Sequence, residues 1–490
     1  MELVIRSGGG ESTFEVEATE NAVMEAAGKW LLQQPLPVEF EIECEYGMAS
    51  YSFDVRRTQD IGSTDPAKMH IREKEYHLRG IPAGGYPEKY LTCIDADANR
   101  YKFYKMVPAS VGIEVEYGRI GDRYGKRTTS PYDHRFFWLL YYEKLLKGYV
   151  DNSDVYLGEG EEVKGGMVEA PEAAKPRETH PATPSRKLFQ MLLAFAKSHV
   201  RHTLVCDKVT PEQAMRAREI FGTLAEAVDV AGFNEILLKL MAISPRAVTG
   251  FRDRGVKSLL ARSESDFAKI VDREEALVLA MEAVAGVSTP ESAGHGGGTD
   301  PQSFEDLGIT VEEATEVQRS EIVALLDDEL KSKVSEIYRV VHPAHKARFD
   351  AYCTENGIND IRRLWHGSRN CNFLSIIRQG LLLNPNAQIT GKMFGHGIYF
   401  APRSLKSWGY TSFRGTYWAR GGSDTAIMGL YECAYGKPHD VWDSGRYDQE
   451  QLKRLGKNCV HAHAGRALRN DEIVFYDEAA MLLNYIVVFK

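Results

Sequence analysis

Two stretches without apolar periodicity cut this chain and bound what it can fold into. Residues 159–185 are rich in Gly, Glu, Pro and Ala, and residues 286–303 contain Ser292-Ala293-Gly294-His295-Gly296-Gly297-Gly298. Neither buries enough apolar surface to offset the entropy of ordering it, so both read as flexible linkers. At 490 residues the chain is too long for one core, and three or four domains are expected. The cuts leave segments 1–80, 86–158, 186–285 and 304–490. A hydrophobic share of 43% with 10% aromatics marks a globular chain rather than a disordered one. No run of eighteen apolar residues exists, so no membrane partner is expected. The string Met1-Glu2-Leu3-Val4-Ile5-Arg6 turns polar too soon for a signal peptide, which predicts an intracellular protein. That means the nucleus in a eukaryote, and the cytoplasm or nucleoid in a bacterium. A net charge of −9 argues against bulk coating of nucleic acid but leaves room for a local basic patch.

Residues 1–80 alternate apolar and polar around Phe14-Glu15-Val16, Val38–Ile42 and Tyr51-Ser52-Phe53, with a helical stretch at Asn21–Leu32. This predicts a small acidic α+β domain, and the residues assign it no role. From Tyr86 the character changes. Tyr90–Ile94, Tyr101–Lys105 and Gly112–Tyr117 read as strands, followed by an aromatic helix over His134–Tyr149. Between residues 101 and 150, nine Lys/Arg face five Asp/Glu. Arg119, Arg123, Lys126 and Arg127 crowd around a glycine turn beside Tyr117, as a phosphate-contacting loop would. An ordinary solvated turn is the plainer alternative. Residues 186–285 repeat apolar residues at helical spacing, and Thr210-Pro211-Glu212-Gln213 has the form of a capping-box start.

The last segment carries three apolar-rich strings. They are Leu364-Trp365-His366-Gly367-Ser368-Arg369, Thr390–Ala401 with Gly397-Ile398-Tyr399-Phe400, and Asp471-Glu472-Ile473-Val474-Phe475-Tyr476-Asp477. Each reads as a buried strand delivering one polar group to a cleft: His366, Tyr399 and Glu472. Gly367 has no Cβ, which lets a planar ligand lie against the backbone. A donor, an aromatic platform, a close backbone edge and a carboxylate suit cleavage of an N-glycosidic bond, where positive charge develops on a sugar carbon. The plainer alternative makes His366 a core histidine, Tyr399 packing and Glu472 a surface charge, and it needs three independent coincidences. Seven scattered cysteines show no zinc-finger spacing. Cys459-Val460-His461-Ala462-His463 is metal-like, since alternation puts its three polar side chains on one face. It has no evident fourth ligand, so it reads as a loop beside the site, and no metal is expected.

In order and spacing, with Gly380-Leu381 and Lys406-Ser407 between them, these strings resemble the His-Tyr-Glu signature of the poly(ADP-ribose) polymerase catalytic domain. Residues 86–158 are similar to the WGR domain of several DNA-dependent members. There Tyr117 replaces the naming Trp, while Gly118, Arg119 and Gly121 keep their places. Residues 186–285 resemble the family's autoregulatory helical domain. The resemblance implies a multidomain α+β protein: an ADP-ribosyltransferase-type mixed β-sheet catalytic domain, preceded by an all-α helical domain and a small β-rich WGR-like domain. It implies a poly-ADP-ribosyltransferase that consumes NAD+ as substrate and responds to DNA ends or nicks. Its acceptors would be proteins, itself included.

Residue by residue, the resemblance implies that His366 binds the adenine-side ribose, with Ser368 beside it. Gly367 and Ser407 would hold the nicotinamide carboxamide. Tyr410 would stack on the ring, with Tyr399 as the opposing wall. Glu472 would stabilise the transition state and polarise the acceptor. Tyr117, Arg119, Arg123, Lys126 and Arg127 would contact nucleic acid. Some positions depart from the pattern. Many members have Arg where Leu382 stands, Lys392 occupies a place often aromatic, and Trp408 one often small. Ser412–Asp424 is longer than usual and the loop between Gly436 and Asn470 shorter. These differences surround the acceptor side, and none touches the triad. Glu472 favours polymer elongation, because members limited to single transfer usually lack a glutamate there. A mono-ADP-ribosyltransferase, or a catalytically silent DNA-end-binding scaffold, is the alternative.

Overall fold

The computed structural model describes residues 1–56, 68–96, 100–109, 112–120, 126–130, 133–157, 183–205, 209–224, 227, 229–246, 256–286, 301–383, 393–419, 421–466 and 468–490. They fall into two compact units. One takes in the described residues of Met1–Val163 and Pro245–Leu259, the other those of Lys164–Ser244 and Leu260–Lys490.

In the first unit, β1 (Glu2–Ser7), β2 (Gly10–Glu15), β3 (Val38–Cys44), β4 (Gly47–Arg56) and β5 (Lys68–Tyr76) form an antiparallel sheet in the order β2-β1-β3-β4-β5. Strict alternation in β3 sends Phe40 and Ile42 inward and its glutamates outward. Thr19 caps the helix Glu20–Leu31, its hydroxyl accepting from the Ala22 amide at 3.2 Å. A second antiparallel sheet joins β6 (Lys89–Asp95), β7 (Arg100–Pro108), β8 (Ile113–Arg119), β9 (Lys126–Ser130) and β10 (Val150–Asp151) in the order β10-β6-β7-β8-β9.

Sequence reading separates these two segments, but the structure gives them one core running from Leu3 and Ile5 to Trp138 and Tyr142. The cause lies in the helix Phe137–Leu146, whose residues Phe137–Tyr142 are all buried. A helix apolar on every side needs neighbours on more than one face. Gly28 permits the approach: a Cβ there would lie 2.1 Å from the Tyr142 ring.

The second unit opens with the helices Pro184–Thr203, Pro211–Thr223, Val230–Ile243 and Phe267–Ala285. Thr210 caps the second, accepting from the Gln213 amide at 3.0 Å. Gln213 Nε2 also donates 2.8 Å to Ile243 O, tying this helix to the end of the next. Phe267–Ala285 is buried almost all round and packs against the elements that follow. Ser375 Oγ donates to Leu279 O at 2.8 Å, and Arg378 Nη2 donates to Gly286 O at 3.2 Å.

Those elements are β11 (Thr310–Glu313), β12 (Val334–Val341), β13 (Ile361–Gly367), β14 (Ile398–Phe400), β15 (Ala426–Ala434), β16 (Pro438–Val441), β17 (Cys459–Ala462), β18 (Glu472–Phe475) and β19 (Met481–Phe489). Five of them make an antiparallel sheet in the order β11-β12-β19-β15-β13. β19 is a nearly continuous apolar run, as a strand flanked on both edges and covered on both faces should be. The remaining four form a sheet in the order β14-β18-β17-β16, in which only β16 and β17 pair parallel. Among the described residues no helix is long and apolar enough to cross a membrane, and six cysteines carry free thiols.

Candidate active site

The three strings lie on three strands, β13, β14 and β18, drawn from both sheets of the second unit. β13 is anchored by Trp365, which is 1% exposed and in the core with Met428, Leu430 and Val487. Burying such a side chain stabilises by roughly 1.5–3 kcal/mol. His366 and Gly367 come at the strand's end, opposite Gly429 and Met428 of β15. Phe400 and Tyr431 wall the imidazole, with ring centroids 5.5 and 6.1 Å away. His366 Nδ1 lies 3.0 Å from the Tyr399 carbonyl oxygen, which makes Nδ1 the donor and joins the first two strings directly.

Tyr399 sits in the middle of β14, its backbone opposite Val474 of β18. Its hydroxyl donates to Gly395 O at 2.8 Å and accepts from the Phe394 amide at 3.1 Å. Burial pushes this phenol's pKa up; the Phe394 amide opposes that and the Glu472 charge adds to it, so the ring stays neutral.

Glu472 begins β18 and is 7% exposed. A carboxylate that deep needs a partner, and Lys406 Nζ supplies one at 2.7 Å. Lys406 and Ser407 sit on the short helix Ser404–Trp408. Asp327 fixes that helix: it accepts from the Leu405 amide at 2.8 Å, Ser404 Oγ at 3.0 Å and Arg403 Nη2 at 2.6 Å. Burial pushes the Asp327 carboxyl up, but these donors outweigh it and hold it below the usual carboxylate range.

Ser407 is buried and donates through Oγ to Trp365 O at 2.9 Å. A Cβ on Gly367 would fall 1.9 Å from Ser407 O, so strand end and helix approach as only glycine permits. Ser368 Oγ accepts from Asn372 Nδ2 at 2.9 Å, and the buried Asn370 ties the strand exit to Thr425 O at 2.8 Å.

Tyr410 follows the same helix and is 40% exposed. One face is covered by Trp418, stacked 6.0 Å away at 11°. Although part of its surface is open, burial, Glu472 and Asp272 of helix Phe267–Ala285 all push its phenol up. The long Ser412–Asp424 segment folds on itself through the bridges Phe413–Ser423 and Arg414–Gly421, leaving Tyr417 and Trp418 exposed.

His366, Gly367, Ser368, Tyr399, Ser407, Tyr410 and Glu472 are thus brought together. Lys406, Asn372, Asp327 and Trp418 join them without having been singled out for these contacts; a buried carboxylate needs a cation, but nothing in the sequence says which one it meets. Tyr117, Arg119, Lys126 and Arg127 lie on β8 and β9, in the other unit, with Tyr117 opposite Lys126 and Glu116 opposite Arg127. Tyr117 is 39% exposed and stacks on Tyr104 at 6.1 Å. Arg123 and Lys392 lie outside the described residues. The cluster read as a loop is in fact strand for Cys459–Ala462: Val460 and Ala462 are apolar and pair with Val474 and Glu472 of β18. Cys459 donates to Tyr435 O at 3.4 Å.

Comparison with known proteins bears on this second unit. The family described as the poly(ADP-ribose) polymerase catalytic domain matches residues 318–490. The poly [ADP-ribose] polymerase-like protein 100L of Invertebrate iridescent virus 6 is 28% identical over 181 residues, 35% of this chain and 95% of that protein. Poly [ADP-ribose] polymerase 1 of Xenopus laevis is 29% identical over 184 residues, 32% of this chain but 18% of its own length. Human poly [ADP-ribose] polymerase 2 is 33% identical over 108 residues, 20% of this chain and 18% of its own. The chain therefore spans nearly all of the viral relative and under a fifth of the two animal ones. Residues 318–490 are therefore similar to the poly(ADP-ribose) polymerase catalytic domain, a domain with NAD+ ADP-ribosyltransferase activity.

Proposed function

We propose that this protein cleaves the nicotinamide–ribose bond of NAD+ and transfers the ADP-ribosyl group to protein side chains and to growing chains. The observation that carries this is the buried Glu472 carboxylate, paired with Lys406 and set beside Tyr399 and Tyr410. Nicotinamide leaves as a neutral base with the bonding electron pair, and positive character develops at the ribose carbon. A fixed carboxylate in a water-poor cleft favours that charge and costs no reorganisation as it forms. Glu472 also accepts from the ribose 2′-hydroxyl and polarises the acceptor hydroxyl, whose oxygen bonds the ribose carbon as its proton passes to the Glu472 carboxylate.

The other residues position the donor. His366 holds the adenine-side ribose, with Ser368 alongside. The Gly367 backbone and the Ser407 hydroxyl clasp the carboxamide: Ser407 already donates to Trp365 O, which leaves its oxygen free to accept from the amide N–H. Tyr410, backed by Trp418, stacks on the ring opposite Tyr399.

DNA ends act through Tyr117, Arg119, Arg123, Lys126 and Arg127, the Arg and Lys side chains among them meeting phosphates. Two features support a link to catalysis. The segment Pro245–Leu259 groups with the first unit, its Arg246 amide donating to Tyr101 OH at 2.6 Å, although it lies in sequence between two helices of the second. The helix that follows it, Phe267–Ala285, carries Asp272 to Tyr410. A DNA-dependent shift of this helix would change the site through one two-state element.

The test is automodification with labelled NAD+, with and without nicked or blunt DNA, resolved on a denaturing gel. Ladders of growing product that intensify with DNA, and lose that response in Arg119→Ala at unchanged basal rate, are expected. A single added unit would make it a mono-transferase, and identical gels with and without DNA would remove the activation step.

A further inference from the structure

The strand pair behind Glu472 holds a second constellation that the transfer reaction does not use. His461 lies on β17 and His463 just beyond it, their rings stacked 4.0 Å apart at 26°. The two ligands that the local sequence lacks come from elsewhere in the fold. Parallel pairing sets Asp440 of β16 opposite His461, and Asp440 Oδ1 lies 2.7 Å from His463 Nε2. Asp471, next to Glu472, places Oδ2 3.1 Å from His461 Nε2 and 3.7 Å from His463 Nδ1. Ligand atoms of Asp440, His461 and His463 all fall within 4.8 Å of one another.

We propose that Asp440, His461 and His463, joined by Asp471 as it shifts toward them, form a His2Asp2 site for a divalent zinc-type cation. Two imidazoles and two carboxylates suit a borderline ion in tetrahedral coordination, and no thiol takes part. The outer contacts fit as well. Tyr435 OH sits 2.6 Å from His461 Nδ1, which turns Nε2 inward, and the Ala464 amide holds Asp471 Oδ1 at 2.7 Å, which turns Oδ2 inward. Trp442 stacks on His463 at 4.9 Å and limits its rotation. Such partners fix ligand orientation in protein metal sites. The imidazole–carboxylate hydrogen bonds then give way to metal–ligand bonds, with loss of the protons the imidazoles hold there.

Register also settles what the ion does. Ala462 pairs with Glu472, and His461 with Ile473. Side chains alternate along a strand, so Glu472 faces one side of this sheet while His461, His463 and Asp471 face the other. The cation therefore does not touch the donor substrate. It clamps β16, β17 and the start of β18 together, and with them the backbone that presents Glu472.

The experiment uses the full chain, stripped with a chelator and titrated with Co2+ and then Zn2+. One equivalent of Co2+ should give the visible absorption of a four-coordinate N/O site, Zn2+ should displace it, and the melting temperature should rise with either ion. The Asp440→Asn/His463→Gln variant, altered at the more exposed ligands, should bind at least about tenfold more weakly, the lower end for disturbing such shells. Zinc-edge X-ray absorption on the unaltered protein, which needs no variant, should show two imidazoles with oxygen ligands. Absence of a cobalt spectrum and of any melting shift, equal binding by the variant, or sulfur in the first shell would each overturn the site.

Discussion

Gly367→Ala tests the geometry of the donor slot more sharply than any charge change. The added Cβ would lie 1.9 Å from Ser407 O and 2.8 Å from Ser407 C, where real contacts stay above 3.0 Å. Strand and helix must therefore part by about 1.1 Å, the difference between 3.0 and 1.9 Å. Neither side yields easily. Ser407 Oγ is bonded to Trp365 O, Asp327 holds the start of the helix, and Gly367 pairs with Met428 inside the sheet. Forcing extra atoms into such a place costs about 1–3 kcal/mol. For a unit of this size that lowers the melting temperature by roughly 2–5 °C. The larger effect falls on catalysis, since about 1 Å of misplacement costs on the order of 10²-fold in rate. Nicotinamide release from NAD+, followed with a thermal melt on the same sample, measures both. An alanine variant with the parent's KM, kcat and melting point would show that the slot is not where the donor binds.

Three further outcomes follow from the same contacts. Lys406→Met strands a buried Glu472 carboxylate, so denaturant unfolding should register a loss of about 3–5 kcal/mol; a loss under 1 kcal/mol would mean the pair is solvated. Tyr410→Ala removes a stacking surface worth about 0.5–1.5 kcal/mol, so calorimetry should show a nicotinamide-like amide binding roughly 2- to 12-fold more weakly, and unchanged affinity would exclude stacking there. Asp327 has its folded-state pKa lowered, so the stability it contributes is present above its ordinary value of 3.8 and lost as pH falls through the folded value. Asp327→Asn should therefore be less stable than the parent at pH 7, with the gap closing below about pH 4; a gap that persists at pH 2 would assign the effect to shape rather than charge.

Sequence reading reached the parts of this molecule that local pattern encodes. Alternation and apolar runs placed His366, Tyr399 and Glu472 on strands, because a strand buried by its neighbours must be apolar, with His366 near the end of one, Glu472 at the start of another and Tyr399 between Ile398 and Phe400. Helices such as Pro211–Thr223 were legible from their caps. What stayed hidden depends on long-range pairing. Lys406 meets Glu472 across 66 positions, and Asp327 reaches Leu405 across 78, with nothing in either local string to announce it. Asp440 joins His461 and His463 through parallel pairing of β16 with β17, a register that no local period specifies. The single core of the first unit was missed for a similar reason. Gly28 and Tyr142 are unremarkable apart, and only their contact merges two segments that composition separates.

The central claim is that the Glu472 carboxylate drives NAD+ cleavage and transfer. Its most direct test is Glu472→Gln, which keeps the shape of the side chain and removes its charge. The measurement is labelled ADP-ribose transfer alongside equilibrium binding of an NAD+ analogue. Binding should hold within a few-fold while transfer falls by about 10² to 10³, because the charge acts mainly in the transition state. Transfer at the parent's rate and product length in that variant would contradict the account.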